Sequence, residues 1–282
     1  MTTVSTWRTL RLCARQELTI AVRSRWTQLF AAAFAALSLA VAVSGYVLSG
    51  GSGVQDFART AVSLVQLVLL MVPLTALLLG VLTLGSERGN AELLYSQPVG
   101  RGTILIGRVL GIFEALVGAQ AVGFGAAGLV IYAQAGEEGV MGFVTVGAAS
   151  FVLTAVCLGV AAFISAGNIG RRRSRALALA LVTWLVMVVL FDLGALGVAS
   201  LLRSGAASRL LITAAILNPV DAIRTSALLA IEGTAAFGGA SLALLRFTGG
   251  PLRAGAWLGG SLALWVVVPL VLATRRLSRA EI

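Results

Sequence analysis

Apolar runs long enough to cross a bilayer as a helix, about 20 residues each, recur six times along the chain. They cover Leu29 to Leu48, Ala61 to Leu84, Ile104 to about Ala133, Gly142 to Ala166, Ala176 to about Ala199 and Ala254 to Ala273. Polar or Gly-rich stretches separate them, the first being Ser49-Gly50-Gly51-Ser52-Gly53. Pro73 falls inside the second run, where a membrane helix tolerates it if neighbours satisfy the freed carbonyl. The pattern predicts an all-α polytopic membrane protein with six transmembrane helices, forming a single domain over 1–282.

Two regions fall outside this repeat. Residues 1–26 are basic and predict a helix over Ser5 to Arg25. Its stripe of Trp7, Leu10, Ala14, Leu18 and Ala21 would lie in the headgroup plane, with Arg8, Arg11 and Arg15 meeting acidic lipid. A plain basic tail fits the same residues. With the first apolar run coming only after residue 28, that run is expected to be a retained span and not a signal sequence. Residues 200–253 hold two apolar pieces, Leu210 to Leu217 and Ser226 to Leu245, divided by Asn218-Pro219-Val220-Asp221. The first is too short to span. Counting the second would carry the C-terminal arginines to the opposite side. Both are therefore expected to be half-helices packed at, or dipping into, the outer leaflet.

Composition supports lipid as the solvent. The chain is 59% hydrophobic and 11% charged, with a mean hydropathy of +0.98, whereas soluble domains carry about 25% charged residues. The net charge of +10 comes entirely from arginine, since no Lys is present. No basic stripe interleaves with exposed aromatics, so nucleic acid is not an expected partner. If the N-terminus is cytoplasmic, the inner segments hold Arg8, Arg11, Arg15, Arg23, Arg25, Arg88, Arg101, the group from Arg171 to Arg175, and Arg275, Arg276 and Arg279. The two short outer loops then hold Arg59 with Asp56, Glu137 and Glu138. Positive-inside bias accordingly predicts both termini in the cytoplasm.

Chemistry is sparse. The two cysteines, Cys13 and Cys157, are far apart in sequence, and His is absent, so neither a disulfide framework nor a metal site is expected. Met71, Met141 and Met187 show no clustering that would mark a soft-metal path. The glycines Gly118, Gly123, Gly125 and Gly128 on the third run suggest close helix packing. Two acids stand within or near spans, Glu114 and Asp192, where charge is costly. Glu114 is expected to pair with Arg108 or with an arginine of another helix, and Asp192 to lie at the outer interface. A Walker A loop requires lysine, so no such phosphate-binding loop exists here.

The segment at 85–103, between the second and third runs, contains Glu87-Arg88, then Glu92-Leu93-Leu94, then Ser96-Gln97-Pro98-Val99 and Arg101. If it is helical, Glu87, Ala91 and Leu94 share one side. Such a helix suits docking into a partner's groove, and a solvated loop helix fits equally well. These residues resemble the loop between spans two and three of ABC-2-type transporter permeases, whose pattern continues into a pair like Gly107-Arg108. Asn90-Ala91 stands where Thr-Leu is usual, the Glu-to-Gly spacing is shorter, and Gly100 replaces Ser. The Gln97-Pro98-Val99 loop, with Asn218-Pro219-Val220-Asp221 and Arg224, is most similar to the permeases of nitrous-oxide-reductase maturation transporters.

The resemblance implies a permease subunit of the bacterial inner membrane, itself no enzyme and binding no cofactor. A second copy, cytoplasmic ATPase subunits carrying ATP and Mg, and a periplasmic maturation protein serving a copper enzyme would be its partners. It assigns ATPase coupling to Glu87, Arg88, Glu92, Leu94, Gln97, Pro98 and Arg101, and contact with the outer partner to Asn218, Pro219, Asp221 and Arg224. Two other functions fit the same residues. One is a mechanotransmission or scaffold subunit that moves no substrate, and the other is a generic ABC-2 drug or lipid exporter.

Overall fold

The computed structural model describes residues 6–47, 54–85, 100–166, 172–233 and 239–279; at 46–47, 54–58, 134–139, 232 and 239–241 it describes the backbone alone. Among the described residues every regular element is a helix. In order these are α1 (Thr6–Arg23), α2 (Arg25–Val47), α3 (Val54–Leu84), α4 (Arg101–Ser165), α5 (Arg173–Leu185), a π-turn (Val186–Leu190), α6 (Phe191–Ser200), α7 (Ser204–Leu217), α8 (Pro219–Glu232), α9 (Gly239–Thr248) and α10 (Pro251–Arg279).

Six stretches are long and apolar enough to cross a bilayer: span 1 (Arg25–Gly45), span 2 (Arg59–Leu84), span 3 (Arg101–Ala133), span 4 (Val140–Ser165), span 5 (Arg173–Ser200) and span 6 (Pro251–Arg279). Each overlaps one of the six predicted runs. Spans 3 and 4 belong to one uninterrupted helical ladder, α4, yet Gln120 donates from its Nε2 to Thr154 Oγ1 at 2.8 Å. The ladder therefore doubles back on itself between them. Ser150 Oγ donates in turn to Gln120 Oε1, so this buried trio satisfies its polar groups across the hairpin, as a lipid-embedded core requires.

The interior is built around spans 2, 3 and 4, with Leu64, Leu69, Leu77, Ile112, Leu116, Leu153 and Leu158 fully buried. Span 1 closes one side through aromatic edges. The Phe34 and Phe124 rings meet at 5.1 Å, and Phe124 meets Phe143 at 5.6 Å, both pairs near perpendicular, the arrangement aromatic quadrupoles favour. Gly123 makes room for Phe34 and Gly128 for Phe143. Gly118 and Gly125 face open space, so the predicted glycine packing holds for half of that set. Large apolar side chains such as Leu129 (73% exposed) and Leu264 (62%) point outward, as the wall of a bundle solvated by lipid does.

The N-terminal helix docks by close approach. A methyl on Gly107 would lie 2.7 Å from Cys13 Cβ, and one on Gly111 would lie 2.8 Å from Glu17 Cβ. The inward face of α1 is Ala14, Glu17 and Ala21, with Leu10 and Leu18 half-buried, while Trp7 is exposed. The predicted stripe thus meets the protein over most of its length, and its first member turns away. Burial at this contact raises the Cys13 thiol above its ordinary pKa, with the Arg108 charge opposing that rise and the Glu17 charge adding to it.

The region 200–253 is where pattern and structure part. Helix α8 begins at Pro219, seven residues before the apolar piece that starts at Ser226, because Asn218 caps it: the Asn218 Oδ1 accepts from Val220 N at 3.2 Å, and Pro219 sits at the first helical position. The helix stops at Gly233, whose φ of 61° suits glycine, so the piece from Ser226 to Leu245 is not one helix. Helices α7 and α8 meet at a 100° bend. With 14 residues, α7 rises only about 21 Å, short of the ~30 Å hydrocarbon core.

The α1 docking generates a direct test. Gly111→Ala should loosen α1 and speed maleimide labelling of Cys13, whereas Gly118→Ala, in open space, should leave the rate unchanged. Cys157, fully buried, serves as the silent control. Equal Cys13 rates in both variants and the parent would rule out close docking at Gly111.

Candidate functional site

Two polar junctions stand out from the apolar bundle, one at its arginine-rich end and one at the break between α7 and α8. At the arginine-rich end, Arg108 is the hub. Its Nε donates to Glu17 Oε2 at 2.9 Å, and its Nη2 donates to the main-chain carbonyl of Thr83. The pair is well shielded, with side-chain exposures of 14% and 7%. A single guanidinium therefore joins α1, the last turn of span 2 and the first turns of span 3. Arg101 Nη1 donates to Leu277 O at 3.3 Å near the chain's C-terminal end, and the Arg276 guanidinium lies 3.9 Å over the Phe163 ring of span 4, a cation–π contact. The ends of spans 2, 3, 4 and 6 thus gather at this end, with α1 docked on span 3.

The segment 86–99 opens between the Thr83 and Arg101 stems. Of the coupling residues predicted from sequence, Glu87, Arg88, Glu92, Leu94, Gln97 and Pro98 lie outside the described residues, and Arg101 holds the C-terminal helix. The partner predicted for Glu114 is corrected. Arg108 pairs with Glu17 of α1, and Glu114 lies exposed on span 3. The reason is the glycine contact: docking of α1 at Gly107 and Gly111 brings Glu17 within reach of Arg108, a proximity invisible in a chain where the two are 91 residues apart.

The second junction is the break between α7 and α8. Within a membrane, free main-chain groups there need partners from the protein. The last carbonyls of α7 find them on span 6, where Ser261 Oγ donates to Ile216 O and Trp265 Nε1 donates to Leu217 O at 2.8 Å. Asn218 then reaches span 5, its Nδ2 donating to Met187 O at 2.8 Å. Met187 lies inside the π-turn, where the helical register is shifted by one residue and carbonyls fall out of their usual pairing. Met187 and Trp265 both sit near the middle of their spans, so the break lies at mid-depth.

Arg224 completes the network by donating to Asp221 Oδ1 and to Asp192 Oδ2, both at 2.9 Å. Asn218, Pro219 and Asp221 are buried, while Arg224 and Asp192 keep about a quarter of their side chains exposed, on a cavity of about 220 Å³ shared with Leu196, Leu211 and Thr225. Asp192 is thus an ion-pair member. Of the residues predicted to touch an outer partner, Asn218, Asp221 and Arg224 bond one another and span 5, and Arg224 keeps a buried Nε without a partner. Sequence reasoning missed Glu17, Trp265 and Ser261, since an acid on a basic tail and a Trp or Ser in an apolar run carry no marker. Among the described residues no three His, Cys, Asp or Glu side chains gather as a metal set.

The Arg108–Glu17 pair can be tested by a cycle. Arg108→Met leaves a buried carboxylate unpaired and should cost about 3–5 kcal/mol, whereas Arg108→Met combined with Glu17→Leu should recover most of it. Thermal unfolding of the detergent-solubilised protein measures both. A double variant as unstable as the single one would remove the ion pair from the account of how α1 is held.

Comparison with known proteins agrees with this architecture. Residues 12–282 match the family model described as ABC-2 family transporter protein. The chain is 35% identical over 269 residues to the probable ABC transporter permease protein NosY of Pseudomonas aeruginosa, covering 92% of this chain and 94% of that one. It is 32% identical over 267 residues to the probable ABC transporter permease protein NosY of Stutzerimonas stutzeri, with the same coverage. A multi-pass helical bundle matched over nearly its whole length places the chain in the ABC-2 transporter family, as a permease subunit of an ABC transporter.

Proposed function

We propose that this permease couples a separate cytoplasmic ATPase to maturation of a copper enzyme, nitrous oxide reductase, on the far side of the inner membrane. The observation that carries this reading is the alignment with two NosY permeases over 92% of the chain. The loop at 85–103 supports it further. Its sequence resembles the segment by which ABC-2 permeases meet their ATPases, and its stems belong to spans that Arg108 ties together. A lysine-free chain has no Walker A loop of its own, so ATP and Mg belong to the partner.

The arginine-rich end is assigned to the cytoplasm. Arg203, Arg209, Arg246 and Arg253 belong to the far segment, and even with these counted the excess of arginine lies at the end that holds α1 and the C-terminus. Both termini then face the cytoplasm, and the region 200–253 faces the periplasm, where it meets a maturation protein. A second copy of the chain completes the transmembrane unit, leaving α1 and the loop of each copy to one ATPase.

Within this reading the chain acts by moving a platform for the periplasmic partner. The specific support is the way α7 and α8 are fastened to spans 5 and 6 through hydrogen bonds to main-chain carbonyls, an arrangement suited to transmitting displacement. Glu87→Ala is expected to insert and to assemble with the ATPase, and to lower the copper content of nitrous oxide reductase in complemented cells by about tenfold, the scale of a typical coupling energy. Normal copper loading in Glu87→Ala would remove the loop from the mechanism. Normal loading in a strain lacking the permease would overturn the maturation role and leave generic export.

A further inference from the structure

Spans 2 and 5 each carry a local defect, and a side-chain hydrogen bond between protein segments sits within or close to each. Span 2 contains Pro73, which removes an amide donor from the ladder and weakens the helix there. One turn before it, Leu70 O accepts from the indole Nε1 of Trp184 at 3.2 Å. Trp184 lies on span 5 two residues before the π-turn Val186–Leu190. Inside that turn Met187 O accepts from Asn218 Nδ2, and just beyond it Asp192 accepts from Arg224. Helix α8 therefore grips span 5 at two points, within and immediately beyond the π-turn.

We infer that Trp184 and Asn218 are positioning residues that carry movement of span 2 into the 200–253 segment, with the π-turn of span 5 as the joint. This rests on the proposal that an ATPase drives the loop at the end of span 2. Three physical points support it. Straight helices move as rods, and bend at prolines and π-turns. Apolar faces can slide past one another, whereas a hydrogen bond to a main-chain carbonyl has a fixed partner and direction, and it strengthens where water is absent. A π-turn also provides two discrete arrangements, because its loss to regular α-helix removes the inserted residue and rotates the remainder of the span by about 100°. Met187 O would then turn away from Asn218, so the bond reads the state of the joint. Ser261 and Trp265 hold the other side of the break to span 6, giving the joint a fixed bearing.

The test uses the full complex of permease and ATPase in lipid nanodiscs, with one spin-labelled permease copy per assembly. Labels are placed at Leu201→Cys and Leu252→Cys, which are 86% and 88% exposed at the far ends of spans 5 and 6, in a Cys13→Ser, Cys157→Ala background. Electron–electron distances are recorded without nucleotide and with ATP and Mg under conditions that block turnover. The parent should shift its distance population with ATP. Trp184→Phe keeps the ring but not the donor, and Asn218→Ser keeps a helix cap but falls short of Met187. Both should retain the nucleotide-free distance and show an ATP-driven shift smaller by about threefold. Variants that change the nucleotide-free distance yet keep the full shift would show a merely structural role and overturn the inference, as would a full shift with no other change. A parent that hydrolyses ATP without any shift would overturn the coupling reading, and the inference with it.

Discussion

Lipid offers no partner to a main chain that leaves the helix, so a break at mid-depth must be closed by the protein itself. In this chain the break at Asn218 sets the arrangement of everything around it. Two carbonyls of α7 are taken by Ser261 and Trp265, and the asparagine amide is taken by a carbonyl that the π-turn exposes. A π-turn in span 5 and an interrupted helix beside it are complementary defects, each satisfying what the other leaves open. Arg224, shared between Asp221 and Asp192, fixes the distance between the same two elements. Removing any one of these groups would leave a polar atom stranded in an apolar medium, which is why the set is best understood as one unit.

The arginine-rich end solves a different problem by different means. There the task is to hold a helix that begins before the first span, and the contact is made by absence of side chains at Gly107 and Gly111 together with one shielded ion pair. Close backbone approach brings Glu17 to Arg108, and Arg108 then reaches Thr83. Both junctions hold ion pairs, and the break at Asn218 adds an amide-to-carbonyl bond to span 5. Spans 2 and 5 run between them and touch where Trp184 meets Leu70.

The spans were legible because bilayer thickness imposes a length that apolar runs display directly; Ile104 to Ala133 became Arg101–Ala133, and Ala254 to Ala273 became Pro251–Arg279. The start of α8 was also written in the chain, as Asn218-Pro219, but hydrophobicity pointed to Ser226 and concealed it. Side-chain pairing was the least legible property. Arg108 has an acid six residues away in Glu114 and pairs instead with Glu17, because the choice depends on which helix the glycines admit. The π-turn left no trace in Val186, Met187, Val188, Val189 and Leu190, residues that would suit an α-helix equally well, and the asparagine that meets it lies 31 residues further along the chain. The loop residues from Glu87 to Pro98 were identified by resemblance alone.

Anchoring the two stems of a loop to a single guanidinium has a consequence for how such a protein can vary. Thr83 and Arg108 are fixed with respect to each other, so the gap that the intervening chain must bridge is set independently of what that chain contains. Closure entropy grows only slowly with length. Insertions in the middle of 86–99 should therefore be borne lightly by the bundle, while a single added residue between Arg101 and Arg108 would turn the arginine by about 100° around its helix and away from both of its partners. The loop's centre can therefore vary in length and content, provided that the residues from Arg101 to Arg108 keep their phase.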